Sequence, residues 1–496
     1  MSKTMLNILK KNRTLLLIIM AIGLLLRFMA LMKYGDFWFD EMFSFTYSQK
    51  PIIESLKFWS WETNPPLHML ILKVWFVFFP ANEFFARLPS VLFGVLSIFF
   101  IHSLGKAMLK QRTALVAAGL MTFAPLQIFY SATARGYSLL ILLAIVSTLL
   151  FHKIYIARQN SSTRIKILFA IINLLLIYTH LTAWTIIIVH LALLWCINKK
   201  QLKNYILINT LPMLAYLIWA IPAIMNKMTA EVINNAWFFN IQSGFSDIIE
   251  SIQLIIIGPT DWKIGLIIIL LIIFAWIAVI AKQIKTKIIN QNFIFISALA
   301  ITPIIIMGLF SIWSARFFII SAPFLFILIS YLATNIIKSR IALCALIALM
   351  LGGGLFNFYA YSLPINQWSR VNEYIEQNFN ENKRQIFICN NYIYNDLLER
   401  YYNKKLPTLM YNDSALNHDE YFIKQNFIRF NREEQVLLDW LDENNIKDYE
   451  EIFYLENRTV GIPIDKALEK KGWLLKDESS LRFPEYSLMK LYEKNI

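Results

Sequence analysis

Cysteine is scarce: Cys196, Cys344 and Cys389 are the only three in 496 residues. They lie far apart with no CxxC pair, which argues against a disulfide framework or a thiolate metal cluster. Acids are scarce along the first 361 positions, where 10 Asp/Glu stand against 29 Lys/Arg, a net charge of +19. No glycine-rich loop of the Walker or GxGxxG kind occurs, so no nucleotide cradle is expected. No histidines are spaced as on a metalloprotease helix, and there is no internal repeat and no low-complexity linker.

What the chain has in abundance is apolar: 57% of it is hydrophobic and 15% aromatic. That balance belongs to a chain folded largely inside a bilayer. A net charge of +14 would suggest a nucleic-acid partner in a soluble protein. Residues 362–496, however, carry 18 Lys/Arg against 23 Asp/Glu, a net −5. The basic excess therefore sits in the apolar part, where loop lysines and arginines set orientation, and no nucleic acid is expected.

Apolar runs of spanning length recur at about 14–34, 88–105, 114–131, 136–156, 166–179, 181–197, 204–221, 263–281, 291–312, 317–337 and 341–361. The first follows Lys3, Lys10, Lys11 and Arg13, is too long for a signal-peptide core and has no cleavage site after it, so a retained span is expected. Basic clusters separate several runs: Lys106, Lys110 and Arg112; Lys153, Arg158, Arg164 and Lys166; Lys199, Lys200 and Lys203; Lys282, Lys285 and Lys287; Lys338 and Arg340. Placing these and the N-terminus in the cytoplasm gives about eleven transmembrane helices, with no acid in any cytoplasmic segment. "NPPLHMLILKVWFVFFP", residues 64–80, is short for a span and would invert this pattern as a crossing. It is expected as an outer interfacial or re-entrant helix, begun by Pro65 and Pro66. Residues 51–61, with Trp59 and Trp61, are expected as a second surface helix at aromatic-belt depth. An outer loop over about 222–262 carries Trp237, Phe238 and Phe239 and a weakly amphipathic stretch.

After Tyr361 the composition turns polar. A helix in "NEYIEQNF", a strand "QIFIC", a helix with "NDLLERYY", then "EEQVLLDWLDENN" leading to "EEIFYL" suggest a small α/β domain. The expected organisation is thus a polytopic α-helical membrane domain, 1–361, whose first outer loop covers 35–86, followed by an extracytoplasmic α/β domain, 362–496. The expected location is the plasma or inner membrane, with a cytoplasmic N-terminus.

This topology collects Asp40, Glu41, Glu62, His68, Arg87, Arg135, His180 and Arg316 on the outer side, with Tyr130, Tyr137, Tyr178 and Trp184 beside them. In "YGDFWFDEMFSF" the adjacent acids Asp40 and Glu41 point in different directions on a helix or strand, so one can meet substrate while its neighbour holds structure or a metal. Capping a surface helix or neutralising Lys33 is the plain alternative. Arginines at membrane-helix ends are costly unless partnered, and three on one side suit a phosphate, whose oxygens the guanidinium fork binds bidentately. Snorkelling to headgroups or pairing with loop acids competes with that reading. His180, in "IYTHLTAW", breaks a long apolar run and could bind phosphate, ligate a metal or cap a hairpin. His68 reads as a packing residue.

The segments "FDEMFSF", "NPPLHMLILKVW", "FFARLPSVLFGVLSIFFIHSLGKAML", "APLQIFYSATARGYSLL", "YTHLTAW" and "ARFFIISAPF" come in an order that resembles the GT-C membrane glycosyltransferases. The closest resemblance is to family 39, which includes protein O-mannosyltransferases and the bacterial transferase of aminoarabinose to lipid A. It covers about residues 10–340. It implies sugar transfer from a polyprenyl-phosphate donor on the extracytoplasmic face to an acceptor lipid, glycan or protein. Asp40 matches the acidic catalytic position with Glu41 its companion, and Arg87, Arg135 and Arg316 match basic residues around the lipid phosphate, with Tyr137 and His180 alongside. Asn64 stands where the family commonly has His or an acidic–basic pair, and Gly136 and Tyr137 stand where metal-using members often have an acid. Both departures weigh against a bound divalent metal, the one cofactor the resemblance leaves open. The expected chemistry has Asp40 as general base on the acceptor hydroxyl, arginines stabilising the departing phosphate, and inversion at the sugar. A polyprenyl-diphosphate glycan ligase or polymerase, or a glycolipid transporter, would also use such a cluster. Midplane sites and internal repeats, typical of transporters, are missing.

Overall fold

The computed structural model describes residues 3–157, 162–228, 245–288, 290–310, 314–362, 368–389, 400–403, 405–410, 434–457, 464–480 and 487–495. The chain starts with helix α1 (Lys3–Lys33), α2 (Phe39–Gln49), α3 (Ile52–Trp59) and α4 (Leu67–Phe78). Then come α5 (Glu83–Met108), α6 (Gln111–Phe123), α7 (Pro125–Ser131), α8 (Tyr137–Ile156), α9 (Thr163–Ile177), α10 (Leu181–Ile197) and α11 (Lys199–Asn226). Helices α12 (Phe245–Ile256), α13 (Trp262–Thr286), α14 (Gln291–Leu309), α15 (Ala315–Ile336) and α16 (Arg340–Asn357) complete the apolar part.

Each of the eleven apolar runs falls on helix. Seven helices are long and apolar enough to cross a membrane, or eight if the bent pair α6–α7 is one span. The remaining runs are the 15-residue α9, the shorter apolar α10, and α16. The protein is a multi-pass membrane protein. Helix α4, over the expected interfacial segment, is only 12 residues long and starts with Pro66 at its N-cap, where a missing N–H costs nothing. The helix expected over residues 51–61 is α3; Trp59 on it is fully buried, and its carbonyl accepts a hydrogen bond from the Trp219 indole at 2.9 Å. Trp237, Phe238 and Phe239 lie outside the described residues.

By contact the chain divides into two units: Met1–Lys33, Tyr47–Asn226 and Phe238–Leu363 form one, and Tyr34–Thr46, Lys227–Trp237 and Pro364–Ile496 the other. Lipid tails are as apolar as leucine, so the first unit is held by close packing and internal polar contacts rather than by exclusion of water. Its centre is built from fully buried residues such as Ile98, Leu140, Ile145 and Phe326. Across it, Ser147 donates to Asn173 at 2.6 Å, and the Asn173 amide donates to Asn209 at 2.6 Å, joining α8, α9 and α11.

The 62° bend between α6 and α7 has a chemical cause. Pro125, at the first position of α7, has no N–H, so the carbonyl four residues back, Met121, has no helical donor. Gly258, at φ +86°, packs against this bend, and a Cβ there would lie 2.4 Å from Pro125 Cγ. Only glycine fits that turn.

The second unit contains α17 (Ser369–Asn378), β1 (Gln385–Cys389), β2 (Thr408–Met410), α18 (Glu434–Glu443), β3 (Glu451–Asn457), α19 (Asp465–Lys470), β4 (Trp473–Ser480) and β5 (Ser487–Lys494). The strands form one sheet in the order β2-β1-β3-β5-β4, with β1 parallel to β2 and β3, and β5 antiparallel to β3 and β4. Ile386, Ile388, Leu437, Leu441, Ile452 and Leu468 are among the residues of its core, where exclusion of water is the main stabilising term. This is the small α/β domain expected. Most of the "NDLLERYY" helix lies outside the described residues.

Candidate functional site

In the second unit, Asp40 and Glu41 occupy the first turn of α2, where the positive end of the helix favours carboxylates. Glu41 is fully buried, and its Oε2 accepts the Trp38 N–H at 3.4 Å. That is the backward half of a capping box, satisfying a donor the helix itself cannot. Asp40 is half-buried, and its carbonyl accepts from Ser44 Oγ at 3.1 Å. The adjacent acids thus have different surroundings.

In the first unit, Arg135 lies between α7 and α8, and one of its guanidinium nitrogens is 3.5 Å from Glu62 Oε1. Its carbonyl accepts from Ser90 on α5, at 3.3 Å. Arg87 is buried on the same helix, one turn before Ser90. Tyr137 starts α8, with its ring 4.3 Å from that of Tyr130 and 5.7 Å from that of His180. Phe317, under the Arg316 guanidinium at 5.1 Å, is 6.1 Å from the His180 ring. Arg135, Tyr137, His180 and Arg316 therefore gather in one place. Gly136 makes this possible, since a Cβ there would sit 3.3 Å from both His68 Cβ and Thr179 Cγ2.

His180 lies in the turn between α9 and α10. Its Nδ1 accepts the Thr182 N–H at 3.2 Å. A backbone N–H only donates, so Nδ1 is unprotonated and the proton of the neutral ring is on Nε2. Burial, then the charges of Arg135 and Arg316, push the pKa down to about 3, so the ring is neutral at pH 7. Its Nε2 is buried and has no hydrogen-bond partner among the described residues. An N–H donor so placed beside two arginines suits an anionic oxygen.

His68, on the short helix α4, is 5% exposed, and burial followed by the charge of Arg135 pushes its pKa down to about 3 as well. Its Nε2 also is buried without a hydrogen-bond partner among the described residues. The packing role expected for His68 fits its Cβ against Gly136 but leaves this nitrogen unexplained.

Sequence reasoning passed over Arg27, which is fully buried in α1. Its guanidinium donates to Met121 O at 3.0 Å, Thr122 O at 3.4 Å, Gly23 O at 3.1 Å and Ser131 Oγ at 3.1 Å. It supplies the donor that Pro125 withholds from Met121, and so fixes the bend that leads to Tyr130 and Arg135. A lone arginine inside a spanning run was the available signal. Among the described residues no three His, Cys, Asp or Glu side chains group as metal ligands.

No protein-family model matches the sequence, and no curated protein does. Solved structures do match. ArnT from Cupriavidus metallidurans bound to undecaprenyl phosphate aligns over 96% of this chain and 97% of its own, with 12% identity and a TM-score of 0.56. The archaeal oligosaccharyltransferase AglB from Archaeoglobus fulgidus, in complex with an inhibitory peptide and a dolichol-phosphate, aligns over 97% of this chain and 74% of its own, with 12% identity and a TM-score of 0.54. The fold is the GT-C fold of these membrane transferases, as the resemblance in sequence implied.

Proposed function

We propose that this protein is a glycosyltransferase that moves a sugar from a polyprenyl-phosphate carrier to a hydroxyl or phosphate of an extracytoplasmic lipid, glycan or protein. The observation that carries the reading is the buried His180 Nε2–H beside Arg135 and Arg316. It is a hydrogen-bond donor within a cationic cluster, on a fold shared with a transferase solved with undecaprenyl phosphate.

Asp40 acts as general base. It takes the proton of the acceptor hydroxyl as that oxygen forms a bond to the anomeric carbon. The bond from that carbon to the phosphate oxygen breaks on the opposite side, and its electron pair leaves with the lipid phosphate. Arg87, Arg135 and Arg316, with the His180 N–H, stabilise the growing negative charge, while Tyr137 lines the cluster. A single displacement inverts the anomeric centre. Glu41 holds the start of α2, and so the direction in which Asp40 is presented. Membrane lipids surround the apolar unit, and the positive-inside pattern supports an N-terminus in the cytoplasm with the cluster and the α/β domain on the other side.

The test is radiolabel transfer from defined polyprenyl-phosphate sugars by the purified protein and by Asp40→Asn, with and without chelator. Transfer that the substitution abolishes and the chelator spares is the expected result. Full activity in Asp40→Asn removes the base assignment. No product from any donor, together with lipid movement between leaflets of liposomes, replaces the transferase reading by a transporter.

A further inference from the structure

The segment bearing Asp40 is gripped by the C-terminal part of the chain. The backbone N–H of Phe37, just before α2, donates to the Tyr401 hydroxyl at 2.9 Å. The Arg400 guanidinium lies over two rings of the same segment, 5.4 Å from the centre of Phe37 and 4.7 Å from that of Phe45. Those rings are themselves 4.9 Å apart and almost wholly buried. One cation thus closes over an aromatic pair that spans the start and the middle of α2.

The grip has a firm base. The Tyr401 carbonyl accepts from the Asn372 amide of α17 at 2.7 Å, and Asn372 Oδ1 accepts the Asn403 N–H at 3.1 Å. Tyr402 packs its ring 5.1 Å from Phe387 of β1. Helix α17 is tied to the sheet where the Tyr374 hydroxyl meets Asp477 at 2.8 Å. A continuous series of contacts runs from the sheet through α17 and Tyr401 to the backbone three residues before Asp40.

We infer that the C-terminal α/β domain is part of the catalytic apparatus, with Arg400 and Tyr401 as positioning residues that set the start of α2 and so the direction of Asp40. The kinetic arm of this inference rests on the transferase reading. Neither residue meets the reacting atoms. Their loss therefore lowers turnover without weakening the hold on the donor, because a small misplacement of a catalytic group is enough to cost rate.

The experiment compares Tyr401→Phe, Arg400→Ala and Arg400→Lys in the full-length protein in lipid nanodiscs, with Lys471→Ala as a control. Lys471 pairs with Asp442 on an exposed part of the same domain. Hydrogen–deuterium exchange over residues 36–46 is read first, because it needs no activity. Tyr401→Phe and Arg400→Ala should speed exchange there by about tenfold, as local opening becomes easier. Arg400→Lys should restore part of the protection, and Lys471→Ala should leave it unchanged. The kinetic arm should show kcat lowered about tenfold or more in the first two variants with donor KM unchanged. Unchanged exchange in both overturns the proposal, as does faster exchange with unaltered kcat. If wild-type protein transfers no sugar, the transferase reading fails, and exchange alone decides whether Arg400 and Tyr401 order the acidic helix.

Discussion

Two buried charges, one in each unit, are held in opposite ways. Arg27, inside a membrane helix, gives its hydrogen bonds to three carbonyls and a hydroxyl. Glu451, 2% exposed in the sheet, is met by Lys383 at 2.6 Å, Gln385 at 2.6 Å and Lys476 at 3.0 Å. In the bilayer unit the cation's partners are dipoles that the backbone leaves over; in the water-side sheet the anion's partners are mostly countercharges whose far ends stay wet. The difference shows where each unit finds its specificity. At these two charges the membrane unit uses unfilled main-chain valences, and the sheet uses complementary side chains.

The largest effect should come from removing the membrane charge. Arg27→Met strands the Met121 and Thr122 carbonyls in a dry interior, at about 1–3 kcal/mol for each orphaned group. Thermal unfolding in detergent should show a marked loss, and an unchanged midpoint would break the comparison. Pro125→Ala sharpens it. That change restores an N–H for Met121, so in the Arg27→Met background it should recover part of the lost stability, although in wild-type protein it brings little.

Glu451→Gln should cost about 1–3 kcal/mol, since its lysines are partly solvated and keep water as a partner. Burial alone would raise the Glu451 pKa, yet the hydrogen bonds from Lys383, Gln385 and Lys476 outweigh it and hold the carboxyl below its ordinary range. A depressed folded pKa means that this stabilisation is complete above the ordinary glutamate value and disappears as pH falls through the folded one. Hydrogen exchange of strands β1 and β3 in the full-length protein should therefore separate wild type from variant at neutral pH. The two should converge as the pH falls through that folded value; a gap that widens in acid would contradict the sign.

The smallest effect is expected at the anion cluster. With His68 and His180 pushed to about 3 and arginines always charged, binding of a polyprenyl phosphodiester should stay flat between pH 6 and 8. A clear step near pH 6.5, removed by His180→Gln, would mean that the ring titrates in the working range.

Most helices were legible because spanning length and lysine placement are written directly into composition, and the sheet domain announced itself by the change of sign after Tyr361. The arginines and His180 were legible as interruptions of apolar runs. Arg27 is an interruption of the same kind, but its partners are backbone atoms, which carry no sequence signature. The burial of Trp59 was not legible, because an aromatic near a membrane edge reads the same whether it faces lipid or the interior. The grip of Tyr401 on Phe37 joins positions 364 residues apart, beyond any local pattern. The distinct surroundings of Asp40 and Glu41 followed from their adjacency, whereas the particular duty of Glu41 needed the Trp38 N–H to be seen.

The bend at Pro125 has an evolutionary consequence. The guanidinium at position 27 supplies the Met121 carbonyl with the donor that position 125 withholds, and an imino acid at 125 is tolerable only while something supplies it. Exchange at 27 alone strands that carbonyl, whereas exchange at 125 alone only makes one of the guanidinium's bonds redundant. Among descendants of this chain a proline at 125 should therefore be accompanied by a donor at 27, and the arginine should be lost only in lineages where the sixth helix already runs straight.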